Sequence, residues 1–272
     1  MRRAIFPLLL ILSAALSGCS GSKPVEEKVR RSIAVAAASD LRYAMPALLE
    51  EFYRAHPEVV VEVTYGSSGN FFAQISNGAP FDLFFSADLS YPTKLVDAGL
   101  AEKGSLSLYA IGRIVLWVRK ESAIDLDQQG MQALLGKEVR QIAIANPRHA
   151  PYGRAAESAL AHLGLLEPVR DKLVLGENVA QAAQLVESSA ADCGIIAYSL
   201  AVASPLADRG RFLVIPTDSY PPLEQASVLL KRSTDPAAAR LLQQFMDTPA
   251  ARQVMRQYGF DDPRQGPTPT AR

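Results

Sequence analysis

The chain has 272 residues, with 28 basic and 28 acidic side chains, 49% hydrophobic and 7% aromatic residues. A net charge of zero excludes a nucleic-acid binder held by a basic face, and the apolar content excludes a disordered chain. At about 100–200 residues per domain the length predicts two domains, large enough to bury cores without disulfide or metal staples.

Arg2 and Arg3 precede an uncharged, mostly apolar run from Ala4 to Leu16. A helical run of that length, at about 1.5 Å per residue, cannot cross roughly 30 Å of hydrocarbon, so residues 1–18 read as a signal peptide and the protein as exported. Leu16-Ser17-Gly18-Cys19 resembles the bacterial lipobox, which implies cleavage before Cys19 and lipidation of that residue. Residues 1–18 hold two Arg and no acid, so the mature chain has 254 residues and a charge of −2. Residues 19–31 are polar and read as a tether between a lipid anchor and the folded body. Cys193 then has no intramolecular partner, and its apolar surroundings, Cys-Gly-Ile-Ile-Ala, predict a buried, inert thiol.

From Ser32 onward, short apolar runs alternate with helical patterns, the signature of parallel sheets covered by helices. The predicted strands are 33–37, 59–64, 81–85, 114–118, 141–145, 173–175, 194–197, 212–215 and 226–230. Leu41, Ala44, Met45, Leu48, Leu49 and Phe52 recur at helical spacing, as do Val179, Ala182, Ala183, Leu185 and Val186. Pro46 conflicts with the first pattern unless that helix begins near Arg42. Asp235-Pro236 and Thr248-Pro249 each place a capping residue before a Pro, so two helices close the chain. The predicted partition puts 32–111 and 223–260 in one lobe and 112–222 in the other, with two crossings forming a hinge and a disordered tail over 261–272.

His56, His149 and His162 lack ligand-like spacing, so no metal site and no cofactor are expected. A serine hydrolase fits poorly, because Gly66-Ser67-Ser68-Gly69-Asn70 is not a nucleophile elbow, although a Ser68–His149 pair stays open. What recurs is a strand that ends in small or hydroxyl residues where a helix begins: Ala38-Ser39-Asp40, Gly66 to Asn70, Pro151-Tyr152-Gly153 and Glu177-Asn178-Val179. The first helical N–H groups there lack internal partners and the dipole is positive, so an anion can be held without Lys or Arg. A Ser at such a place is ordinarily just a cap, but Gly66, Gly69 and Gly153 also let backbone amides approach a ligand closely. The residues alone point to an exported oxyanion-binding protein.

At these residues the chain resembles the periplasmic molybdate-binding proteins, the solute receptors of molybdate ABC transporters. The resemblance runs from Val35-Ala36-Ala37-Ala38-Ser39, through Gly78-Ala79-Pro80-Phe81-Asp82-Leu83-Phe84-Phe85-Ser86-Ala87-Asp88 and the Asn146, Pro147, His149, Pro151, Gly153 string, to Tyr258-Gly259-Phe260. It implies a two-lobed α/β binding protein of type II, each lobe a mostly parallel sheet flanked by helices. The resemblance also implies a protein that is not an enzyme and that closes on molybdate or tungstate through neutral donors with no direct metal ligands. Carried over by position, Ser39 and Ser68 supply hydroxyls and amides, and Tyr152 and Val179 supply amides. Many relatives place a Tyr where this chain has Ala197; Tyr198, one residue later, is a weaker candidate because strand side chains alternate faces.

Asp82 and Asp88 read as structural, a strand-start partner and a helix cap, since a carboxylate beside a dianion is repulsive. Asp40 stands where relatives carry Leu and is expected to face solvent. A donor-only pocket would reject phosphate, whose remaining proton finds no acceptor, and would reject the smaller sulfate by size. The implied partner is an ABC transporter permease. A monomer on the periplasmic or extracytoplasmic face is expected, held to the membrane through its lipid only, with no nucleic-acid partner. A receptor for another oxyanion and a lipid-anchored serine hydrolase are the alternatives.

Overall fold

A computed structural model describes residues 30–265. The predicted signal peptide, Cys19, most of the tether and the end of the tail lie outside the described residues.

Ten strands form two sheets. They are β1 (Arg31–Ala38), β2 (Val59–Gly66), β3 (Leu83–Ser86), β4 (Ser107–Gly112), β5 (Ile114–Arg119), β6 (Ile142–Ala145), β7 (Leu173–Gly176), β8 (Cys193–Ala197), β9 (Gly210–Val214) and β10 (Leu223–Leu229). The orders are β2-β1-β3-β10-β4 and β7-β6-β8-β5-β9. In each sheet three strands pair in parallel, and β10 or β5 runs antiparallel to both its neighbours. Four of the five strands in each sheet therefore share one direction, as the expected mostly parallel sheets require, and one reversed strand makes each sheet mixed. The reversed strand is in both cases the one that takes up the chain on its arrival from the other sheet. Strand direction leaves no mark on a buried apolar run, so the reversal is invisible in the sequence.

β4 lies outside the predicted strands. Only Arg113 separates it from β5, and a one-residue break carries no turn signal. Pro46 is the third residue of the Ala44–Ala55 helix, inside the first turn where its missing N–H costs no internal bond. The two closing helices, Pro236–Phe245 and Pro249–Gln257, begin as expected, with Asp235 and Thr248 accepting from the amides of Ala238 and Ala251. Both expected ends of the body move outward. Arg31 already belongs to β1 and its guanidinium meets Asp235, while Asp261 bridges Ile111 and accepts from Arg113 Nε at 2.6 Å.

The first sheet is buried on both faces, and period-two alternation divides its residues between them. Val35, Ala37 and Phe85 pack with Leu48, Phe52 and Leu242. Ala36 and Phe84 pack on the other side with Phe71, Leu95 and Val228. The second sheet is centred on fully buried Trp117, Ile114 and Leu116, and its core reaches Ala38 and Ala87 of the first lobe, where the lobes meet.

Candidate functional site

The carboxyl ends of β1, β2 and β6 and the N-termini of three helices converge between the lobes. Ser68 is the first residue of the Ser68–Ser76 helix, Tyr152 the second of Pro151–His162 and Val179 the first of Val179–Glu187. Amides at these positions have no acceptor within their own helix. Ser39, Ser68, Tyr152 and Val179, the four predicted binding residues, line one cavity together with Asp40, Gly66, Ser67, Ala87 and Asn178. All four are buried, and no Lys or Arg lines the cavity. The free volume is about 10 Å³, close to the roughly 10–15 Å³ that one water needs.

The two serine hydroxyls are held as acceptors. Ala87 N donates to Ser68 Oγ at 2.9 Å, and Ala180 N donates to Ser39 Oγ at 3.4 Å. A hydroxyl that accepts from an amide still has its own hydrogen to give, so both serines are poised as donors. Ser67, not Ser68, is the cap of its helix: its Oγ accepts from Asn70 N and lies 2.9 Å from His149 Nδ1. The Ser68–His149 pair of the hydrolase alternative is therefore not formed, and Nε2 of His149 faces Glu177 at 3.5 Å. Gly153 permits the packing of the second lobe's helix terminus, because a Cβ there would stand 2.1 Å from the Ala145 carbonyl oxygen.

Asp40 is the main departure from expectation. It is 1% exposed where a solvent-facing carboxylate was expected, because the short 3-10 turn Ser39–Leu41 turns it inward beneath the second lobe. Its Oδ2 accepts from Tyr152 OH at 2.9 Å and from Gln225 Nε2 at 2.6 Å. Gln225 Nε2 also donates to Tyr152 OH, and Gln225 Oε1 accepts from Tyr109 OH at 2.8 Å. No hydrogen bond reaches Oδ1, although it is buried. Burial pushes the Asp40 carboxyl up to about 6, against the opposing pull of Gln225, Tyr152 and the amides of Asp40 and Leu41. The cavity is thus not lined by donors alone.

Tyr198 does not line the cavity. β8 ends at Ala197 and Tyr198 opens the short helix Tyr198–Ala201, with its ring packed edge-on against Phe212 and under the Arg113 guanidinium. Asp82 is a structural partner, accepting from Ala34 N, Ser233 Oγ and Thr234 N, each at 2.7 Å. Asp88 accepts from Ser90 N at 2.7 Å and also pairs with Arg154 of the other lobe, a role the sequence does not announce. Gly69 N donates to the His149 carbonyl at 2.9 Å and Ser199 Oγ to the Asp40 carbonyl at 2.9 Å, so the lobes are joined all round the cavity. Among the described residues no group of His, Cys, Asp and Glu is arranged to hold a metal ion.

Residues 33–261 match the model of the bacterial extracellular solute-binding protein family. The chain is 38% identical over 200 residues to the molybdate-binding protein ModA of Rhodobacter capsulatus, covering 74% of this chain and 77% of that one. It is 28% identical to a putative ABC transporter substrate-binding lipoprotein, YvgL, of Bacillus subtilis, over 94% of this chain and 97% of that one. The solved periplasmic molybdate-binding protein of Azotobacter vinelandii superposes with a TM-score of 0.79 at 35% identity, covering 85% of this chain and 99% of that chain.

Proposed function

Because the chain belongs to the bacterial extracellular solute-binding proteins, among the periplasmic molybdate-binding proteins of ABC transporters, we propose that it captures molybdate, and tungstate with it, in the cavity between its lobes. The observation that carries this reading is the pair of serine hydroxyls from one lobe, each pinned as an acceptor by an amide and each left with a hydrogen to donate. They stand beside the first-turn amides of Tyr152 and Val179 from the other lobe. Each hydrogen bond to a charged ligand contributes roughly 1.5–3 kcal/mol, so a handful suffices for micromolar or tighter binding without a cation.

In this reading Ser39 and Ser68 donate hydroxyls and amides, Tyr152 and Val179 donate amides, and these donors contact only the ligand's oxygens. No cofactor takes part and no bond is made or broken. Closure of the lobes on the oxyanion creates the surface presented to the membrane permease. The protein acts outside the cytoplasm as a monomer, tethered through lipid on Cys19. The Leu-Ser-Gly-Cys quartet and the relative named as a lipoprotein support the anchor.

Calorimetric titration of the purified protein with molybdate, and competition by sulfate and phosphate, test the reading. Tight molybdate binding that sulfate does not displace is expected. Equal affinity for sulfate would make this a general oxyanion receptor, and no molybdate binding would refute the proposal. Mass spectrometry of the membrane-extracted protein tests the anchor: a diacyl mass on a chain beginning at Cys19 is expected.

A further inference from the structure

We infer that Asp40 is a specificity-determining residue of this site and takes up a proton together with the dianion: in the loaded state its carboxyl is protonated on Oδ1 and gives that hydrogen to a ligand oxygen. The inference rests on the oxyanion reading above.

Three geometric facts lead to it. Asp40 lines the cavity in which the oxyanion is placed. Its two oxygens are unequal, since Oδ2 already accepts from Tyr152 OH and Gln225 Nε2 while Oδ1 has no partner. Among the described residues no ion pair reaches it, so an ionised Asp40 would face the dianion with hydrogen bonds from neutral groups but no cation to offset the repulsion. A carboxylate and a doubly charged oxyanion cannot share one dry cavity at low cost, and one proton between them converts the repulsion into a hydrogen bond. The proton belongs on the oxygen without donors, and it comes from solvent.

The groups around Asp40 leave it as the natural acceptor of that proton. Tyr152 faces it from the Pro151–His162 helix and Tyr109 from β4, and both phenols are held well above their ordinary range by burial and by Asp40 itself. Tyr220 stands behind them, bonded to the Ile114 amide at 3.3 Å. β10 brings the neutral Gln225, the short helix Tyr198–Ala201 brings the Ser199 hydroxyl to the Asp40 carbonyl, and Ala180 brings an amide to Ser39. Arg113 is engaged with Asp261. Farther out, His149 lies between Ser67 and Glu177, and Asp88 is paired with Arg154. The empty site already holds the Asp40 carboxyl up at about 6 through burial, and a bound dianion moves it further the same way.

The sign of the pH dependence follows. Below about pH 6 the empty site already carries the proton and affinity does not vary with pH. Above that value binding must recruit the proton, so Kd weakens by about tenfold per pH unit until the carboxyl of the loaded site ionises in turn. Asp40→Asn is the matched variant, since its carbonyl can accept from Tyr152 and Gln225 while its NH₂ replaces the acid's hydrogen.

The test is calorimetry of sodium molybdate binding to the purified protein at pH 8, in two buffers of different ionisation enthalpy, with Kd followed from pH 6 to pH 9. Uptake close to one proton in the wild type, together with no uptake and a pH-independent Kd in Asp40→Asn, is expected. Molybdate binding without proton uptake in the wild type overturns the inference while leaving the oxyanion reading intact. Uptake that persists in Asp40→Asn also overturns it. A wild type that gives no binding heat and no molybdate-induced shift in melting temperature overturns both.

Discussion

Replacing Ser68 by Ala separates what the hydroxyl does for the fold from what it does for the ligand. The side chain is 1% exposed and its Oγ accepts from the buried amide of Ala87 at 2.9 Å. Removing it strands that N–H, which costs about 1–3 kcal/mol whether or not ligand is present. For a folded body of this size the melting temperature of the free protein should fall by about 2–4 °C per kcal/mol lost. The second effect appears only in the complex. The hydroxyl hydrogen, freed for the cavity because the oxygen is already an acceptor, is one donor to a charged species, and its loss of about 1.5–3 kcal/mol weakens molybdate binding roughly ten- to a hundredfold. Differential scanning calorimetry without ligand reads the first effect, and isothermal titration well below the melting transition reads the second. A variant that melts early yet binds as tightly as wild type would show that Ser68 merely holds Ala87 in place, and the donor assignment would be wrong. Ser39→Ala should show a smaller loss of melting temperature, because its amide partner is at 3.4 Å, with a comparable loss of affinity.

Gly153→Ala would place a Cβ 2.1 Å from the Ala145 carbonyl oxygen and 2.8 Å from Pro147 N. These are backbone atoms that cannot rotate away, so destabilisation of about 1–3 kcal/mol or more is expected; a melting temperature equal to wild type would refute the packing argument. Cys193 is fully buried on β8, and burial pushes its thiol up to about 12, so a thiol reagent should leave it unmodified in the native protein and label it on denaturation. Stability without ligand also carries a signature of Asp40. Its folded carboxyl titrates at about 6 against an ordinary 3.8, so the folded state keeps a proton the unfolded chain has lost, and stability falls as pH rises through that window by roughly 3 kcal/mol. Asp40→Asn should therefore gain stability relative to wild type between pH 4 and pH 6.5 in denaturant titrations, and a constant difference would refute the assignment.

What the sequence reveals here is what periodicity and caps encode locally. Alternating apolar runs locate nine of the strands, and Asp235-Pro236 and Thr248-Pro249 start helices for reasons contained in four residues. Strand direction in β5 and β10 is a property of the partner strand, so it is decided by contacts far apart in the chain. The same division runs through the site. The four junctions are visible because each follows a strand and opens a helical turn, with Gly66 and Gly153 nearby, while the choice of Ser39, Ser68, Tyr152 and Val179 within them is what the family resemblance implies. Gln225 and Tyr109 carry no local signal, being ordinary strand residues that matter only because β10 and β4 pair beside β3. Asp40 had one signal, a lone carboxylate after Ala36-Ala37-Ala38 in a run otherwise fit for burial. A carboxylate in a first helical turn is ordinarily a solvent-facing charge that stabilises the helix dipole, which is the reading the sequence supports. That reading assumes the ionised form, and burial favours the neutral one.

The same carboxyl changes how phosphate must be excluded. Selection by a donor-only pocket would need every lining group to give a hydrogen, and Asp40 in its ionised form is an acceptor. Hydrogen phosphate, which brings its own proton, could offer it to Oδ1 and form the hydrogen bond that molybdate forms with a proton taken from solvent. Both loaded sites then hold one proton, but the phosphate site carries three negative charges against two for molybdate, so charge disfavours phosphate, while sulfate, which matches molybdate in charge, is not told apart this way. What remains is size: the donors come from two lobes fixed against each other by Gly69, His149, Asp88 and Arg154, and their separation in the closed state cannot shrink around a smaller tetrahedron. Loosening that fixation should relax selectivity before it abolishes molybdate binding. Arg154→Met removes the Asp88 ion pair and the 3.2 Å contact to Tyr91 without touching the cavity lining. If sulfate and phosphate compete no better against this variant than against the wild type, the separation of the lobes is not what measures the ligand.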